Sequence, residues 1–72
     1  MYSELFAQKI KKARKEYGCT QNHVAEETGI PRSTIAKYES GKLEPDLEKL
    51  GMLADFYFVS IDWLLGTKRG EK

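Results

Sequence analysis

Two short apolar-patterned segments, residues 21–28 and 32–39, are separated only by Gly29, Ile30 and Pro31. Helices that short are not stable alone in water, because nucleation costs more than two turns of hydrogen bonds return. They must brace each other and rest on further helices. So tight a link forces them to cross steeply. Gly29 stands where the chain reverses and a positive φ is expected. The fixed φ of Pro31 suits a helix start. Ala25 is small where the first of the pair would press on a neighbour, and Ile30, Ile35 and Tyr38 supply apolar contacts. The bland alternative is a generic helical hairpin in a small bundle. The joint placement of Ala25, Gly29, Ile30 and Ile35 favours the crossed pair.

The rest of the chain supplies three further helices. Residues 4–17, with Ser3 as N-cap, carry Phe6, Ile10, Ala13 and Tyr17 on one helical face, and Gly18 ends the segment. Thr20 caps residues 21–28, in which Val24 and Ala25 face inward. Asp46 caps a fourth helix with Leu47, Leu50, Leu53, Ala54 and Tyr57 at helical spacing. Gly51 inside it either allows close packing or is merely tolerated, at a cost of about 1 kcal/mol relative to Ala. Ser60 caps residues 61–65, which Gly66 ends. No stretch alternates as a half-buried strand does. The expected architecture is all-α and five-helical, with residues 1–66 as the domain and 67–72 as a polar tail.

With 72 residues, the chain makes a domain that buries only about 60% of its unfolded surface. That leaves little for a deep substrate cleft. One His, His23, and one Cys, Cys19, with no glycine-rich phosphate loop and no paired acid and base, argue against an enzyme. Asp62 and Glu71 are isolated, and Asp55 lies on a helix surface. Cys19 reads as a small core residue and His23 as a surface one; no metal or cofactor site is expected. No apolar run approaches the roughly 20 residues of a membrane span, and the N-terminus lacks a signal-peptide pattern. The expected setting is cytoplasmic, without membrane contact.

The net charge of +1 hides an asymmetry. Residues 1–42 carry eight Lys/Arg against five Asp/Glu, and residues 43–72 carry four against six. Charge alone fits a solvated surface as well as a nucleic-acid face. The outward residues of 32–39 are more specific: Arg32, Ser33, Thr34 and Lys37. Arg can fork onto guanine O6 and N7, Lys reaches the same acceptors, and Ser can donate to or accept from several bases.

Thr20-Gln21, Val24-Ala25, Gly29, Ile35, Tyr38-Glu39, Gly41-Lys42, Pro45, Leu47 and the run Ser60-Ile61-Asp62-Trp63-Leu64-Leu65-Gly66 resemble the Cro and lambda-repressor-like (XRE-type) helix-turn-helix family over about residues 5–66. The resemblance implies a recognition helix in the major groove and two-fold binding to a pseudo-palindromic operator in double-stranded DNA. It implies base contacts from Arg32, Ser33 and Lys37. It places Gln21, Asn22, Thr34, Ser40 and Lys42 near the sugar-phosphate backbone, with Gln21 at a helix N-terminus that attracts phosphate. It pairs Arg14 with Glu39 as a partly buried structural ion pair.

The aromatic run Phe56, Tyr57, Phe58 cannot all face inward on one helix, so apolar surface is left near that corner. Family members often dimerise there, which implies a homodimer through Phe58, Trp63, Leu64 and Leu65. Three positions depart from the family pattern. Phe58 stands where Gly or Asn is frequent, Pro31 replaces a capping Ser/Thr, and Thr28 replaces an apolar residue, leaving a weaker contact. The leading reading is a sequence-specific transcriptional repressor. Alternatives on the same fold are an antitoxin, with a toxin or anti-repressor as protein partner, or a protein-interaction module; Arg32 and Lys37 weigh against the last.

Overall fold

The computed structural model describes residues 2–67; the remainder of the polar tail, 68–72, lies outside the described residues. Five helices follow in order: α1 (Tyr2–Tyr17), α2 (Gln21–Thr28), α3 (Arg32–Ser40), α4 (Leu47–Tyr57) and α5 (Ile61–Leu65). No strand occurs among the described residues. The architecture is the all-α, five-helix one that the spacing predicts.

Local chemistry sets most of the boundaries. Thr20 Oγ1 accepts from the His23 N–H at 3.1 Å, Asp46 Oδ1 from the Lys49 N–H at 2.8 Å, and Ser60 Oγ from the Trp63 N–H at 3.0 Å. Each satisfies a first-turn donor that has no partner inside the helix. Pro31 precedes α3 without a side-chain cap, and its carbonyl takes the N–H groups of Thr34 and Ile35. Gly29 reverses the chain at φ 79°, ψ 2°, a left-handed conformation that is costly for a residue with a Cβ. Thr28 does more than stand in poorly for an apolar side chain. Its hydroxyl donates to the Val24 carbonyl at 2.7 Å and accepts from the Ile30 N–H at 3.2 Å, which ties the turn to α2.

The core is built where α1 meets α3 and α5 and where α2 leans on α3. Ile10, Val24, Leu53 and Leu64 are its most enclosed side chains. Ile30, Ile35 and Tyr38 are also buried, so the short pair is held from beneath. The Phe6 ring meets Tyr38 edge-on at 6.2 Å.

Four expectations need correction. Ser3 lies inside α1, which starts at Tyr2, so it is not the cap. Tyr17 is half exposed; at the last position of α1 it stacks sideways on Phe56 at 5.1 Å. Leu47 belongs to the α4 stripe by period but is 86% exposed. Helical side chains tilt toward the N-terminus, so the first residue of α4 projects beyond the layer that would cover it. Leu64, expected at a partner surface, is fully buried in the core. A Cβ on Gly51 would meet nothing within 4 Å, so this glycine is tolerated within the fold and not required by it.

Phe58 ends α4 at φ 57°, ψ 43°. It is the position where the family pattern favours Gly or Asn, the residues that adopt this left-handed conformation most readily. Its side chain is 86% exposed, so little burial offsets a conformation that costs an L-residue about 1–2 kcal/mol. Phe58→Gly should therefore raise the unfolding free energy by about 0.5–1 kcal/mol, after allowing for the greater unfolded-state entropy of Gly. Urea denaturation would measure it, and a loss of stability would mean the Phe58 ring carries packing that its exposure hides.

Candidate nucleic-acid interface

The N-termini of α2 and α3 meet at one edge of the molecule. Their side chains are joined there by a continuous set of hydrogen bonds that begins inside. Arg14, on α1, donates from Nε to Glu39 Oε2 at 2.8 Å and from Nη2 to Glu39 Oε1 at 3.0 Å. This is the two-pronged guanidinium–carboxylate geometry that gives the strongest such pairs. Its third donor, Nη1, reaches the Cys19 carbonyl at 3.0 Å, fixing the link between α1 and α2. The side chains of Arg14 and Glu39 are 14% and 4% exposed. The hydrogen bond to Glu39 raises the Arg14 pKa, against the opposing effect of burial, so the guanidinium stays charged.

The same carboxylate positions Gln21. Gln21 Nε2 donates to Glu39 Oε1 at 3.1 Å, and Arg32 Nη1 donates to Gln21 Oε1 at 3.3 Å. Arginine has donors only and a carboxylate acceptors only, so the Gln21 amide has one orientation that serves both. Gln21 thus connects the internal ion pair to the first residue of α3. Sequence reasoning assigned Gln21 and Arg32 separate roles and missed their bond; no periodic signal links residues 11 apart.

The outward face follows from helical geometry. Ser33, Lys37 and Ser40 are all exposed and stand at i, i+4 and i+7, opposite buried Ile35 and Tyr38. Arg32 is exposed beside them, whereas Thr34 is turned aside and half-buried. Ser40 Oγ donates back to the Lys37 carbonyl at 3.1 Å. Lys42 is exposed on the turn after α3, and Asn22 is exposed in the first turn of α2. Thr20 satisfies the His23 N–H, which leaves those of Gln21 and Asn22 to face a ligand at the positive end of the α2 dipole. Arg32, Lys37 and Lys42 add positive charge, and Arg14 neutralises the Glu39 carboxylate beneath Gln21. Such a surface attracts phosphate and presents donors to base edges.

Other expected residues fall elsewhere. Cys19 is half-buried, and desolvation pushes its thiol pKa up despite the opposing charge of Arg14, so it lacks the thiolate character of a nucleophile. His23 is exposed and lies 6.3 Å from the Phe56 ring. The residues expected at a partner surface do not form one patch. Phe58 is exposed, Trp63 and Leu65 are half-buried, and Leu64 is internal. Lys9 Nζ lies 4.7 Å from the centre of the Trp63 ring, a cation–π contact. Ile61, beside Phe58 on the α4–α5 corner, is 42% exposed, an apolar contribution the sequence reading did not include. Among the described residues no cluster of His, Cys, Asp and Glu could hold a metal, and no helix is long and apolar enough to cross a membrane.

Comparison with known proteins agrees with this geometry. A family model described as helix-turn-helix matches residues 10–64. An SPbeta prophage-derived HTH-type transcriptional regulator of Bacillus subtilis, YonR, is 43% identical over 61 residues, covering 85% of this chain and 56% of that protein. The cryptic phage CTXphi transcriptional repressor RstR of Vibrio cholerae is 39% identical over 59 residues, 82% of this chain and 53% of its own. The transcriptional activator BcrR of Enterococcus faecalis is 38% identical over 60 residues, 83% of this chain and 29% of its own. The chain spans little more than half the length of the first curated relatives it matches. These relatives are named as regulators of transcription. On the match across most of its length, this chain belongs to the Cro- and lambda-repressor-like (XRE-type) helix-turn-helix DNA-binding family.

Proposed function

We propose that the chain is a transcriptional regulator that reads a specific double-stranded DNA sequence, as a repressor bound to a pseudo-palindromic operator. The observation that carries this is the bonded sequence Arg14–Glu39–Gln21–Arg32. It sets the leading residue of α3 against the phosphate-binding end of α2 before any ligand arrives. Arg32, Ser33 and Lys37 read base edges. Gln21, Asn22, Ser40 and Lys42 grip the backbone, with Thr34 at its margin. Residues 1–66 act as the DNA-binding unit.

A homodimer fits the operator geometry. Half-sites one helical turn apart are about 34 Å between centres, and the molecule measures 32 × 23 × 21 Å. Two copies so placed would nearly abut, and Phe58 offers an exposed apolar anchor, with Trp63 and Leu65 partly accessible. A repressor role follows the RstR-like relatives; an operator–reporter assay tests the sign.

Selection of binding sites from random duplex DNA tests the whole reading. A pseudo-palindromic winner is expected. Arg32→Ala should weaken binding to it by about 5- to 150-fold, which corresponds to 1–3 kcal/mol for one bidentate base pairing, and relax the preference at one base pair per half-site. Lys42→Ala should weaken all duplexes alike. If no sequence is enriched, sequence-specific reading is wrong, and a protein ligand for the α3 face becomes the alternative.

A further inference from the structure

Helix α1 concentrates five cations within residues 9–15, and the fold uses only two of them. Arg14 is committed to Glu39 and Lys9 covers Trp63. Lys11, Lys12 and Lys15 are exposed, and none forms an ion pair with a carboxylate of the described residues. The three are not equivalent in position. Lys11 lines a groove between α1 and the end of α3, together with Ala7, Gln8, Ser40, Gly41 and two carboxylates, Glu4 and Glu39, the second of which is already bound by Arg14. The turn after α3 comes close to α1 here: a Cβ on Gly41 would stand 3.9 Å from that of Ala7. Lys11 follows Ala7 by one helical turn, so it lies beside Ser40, two residues before Lys42 in the chain. Lys15 continues that line about 6 Å further along the axis. Lys12 is rotated about 100° from Lys11 and about 60° from Lys15, toward the far side of a shallow groove that the three lysines line with Gln8 and Glu16.

We infer that Lys11 and Lys15 form a second phosphate-gripping ridge, continuous with Ser40 and Lys42. It extends the DNA contact from the recognition helix onto α1. The occupant is the sugar-phosphate strand flanking the half-site. Flexible ammonium groups at this spacing match a row of phosphates, and they offer no planar fork for reading bases. The ridge therefore contributes affinity without specificity. The inference rests on the DNA-binding reading above.

The test measures the affinity of the full chain for the selected operator and for an unrelated duplex between about 50 and 200 mM salt. Wild type is compared with Lys11→Ala, Lys15→Ala, Lys11→Arg and Lys12→Ala, with helicity checked by circular dichroism. Releasing one phosphate from the protein's grip should flatten the log–log salt dependence by about 0.9. Over that fourfold rise in salt, the affinity of Lys11→Ala and of Lys15→Ala should each fall about 3-fold less than that of wild type. The weakening should be equal on both duplexes. Lys11→Arg should keep the wild-type slope, and Lys12→Ala should change it least. If wild type binds DNA but Lys11→Ala keeps its slope, or if Lys12→Ala flattens it equally, the ridge does not exist. If wild type binds no duplex, the DNA-binding reading itself fails and the ridge with it.

Discussion

Arg14→Leu should lower the unfolding free energy by about 3–5 kcal/mol, enough to leave much of the protein unfolded at room temperature. The cause is the carboxylate left behind. Glu39 is 4% exposed and takes two hydrogen bonds from Arg14. Without them it keeps only the Gln21 amide, and a buried charge stripped of its partner is strongly destabilising. Domains have roughly 0.05–0.15 kcal/mol of stability per residue, so one such change can consume most of it. The Cys19 carbonyl also loses its donor. Replacing both Arg14 and Glu39 by Leu should recover most of the stability, because no charge is then stranded. That double variant should still bind its operator poorly, since Gln21 no longer has an anchor from which to hold Arg32. Urea denaturation of the two single variants and the double variant separates the possibilities. A strictly additive loss would show that the pair is not coupled.

Leu64→Ala should cost about 2–5 kcal/mol, the range for a large aliphatic side chain truncated in a core that cannot collapse around the gap. Leu64 has no exposed surface and sits among the most enclosed side chains of the protein. The dependence on concentration is the informative part. A residue at a dimer seam would give a loss that shrinks on dilution, because dilution separates wild-type subunits too. Leu64 should give the same loss at every protein concentration. It should give it again in a Phe58→Gly background, where the proposed anchor of the dimer is gone. A loss that vanishes on dilution would return Leu64 to the subunit interface.

The contrast between Phe58 and Leu64 shows how the helical period can mislead. Residues 56–65 contain a crowd of apolar side chains, and period shows that they cannot all face one way. It cannot show which of them the neighbouring helices cover. Leu64 is enclosed because α5 packs against α1, while Phe58 is left outside by a left-handed turn. Leu47 fails for a related reason: its angular position is correct, but as the first residue of α4 it projects past the packed layer and stays 86% exposed.

What the sequence determined by itself is what depends on near neighbours. The caps at Thr20, Asp46 and Ser60 each bond a group three residues on. The reversal at Gly29 depends on one residue's freedom of φ, and the i, i+4 spacing of Ser33 and Lys37 follows from helical pitch. Resemblance to a family, and not spacing, supplied the pairing of Arg14 with Glu39. The tertiary structure alone decided what that pair does. Bonds spanning 25, 18 and 11 residues converge on one carboxylate and one amide, joining three helices to the leading residue of the recognition face. No local pattern encodes them, because each requires several helices to be packed before its partners come within reach.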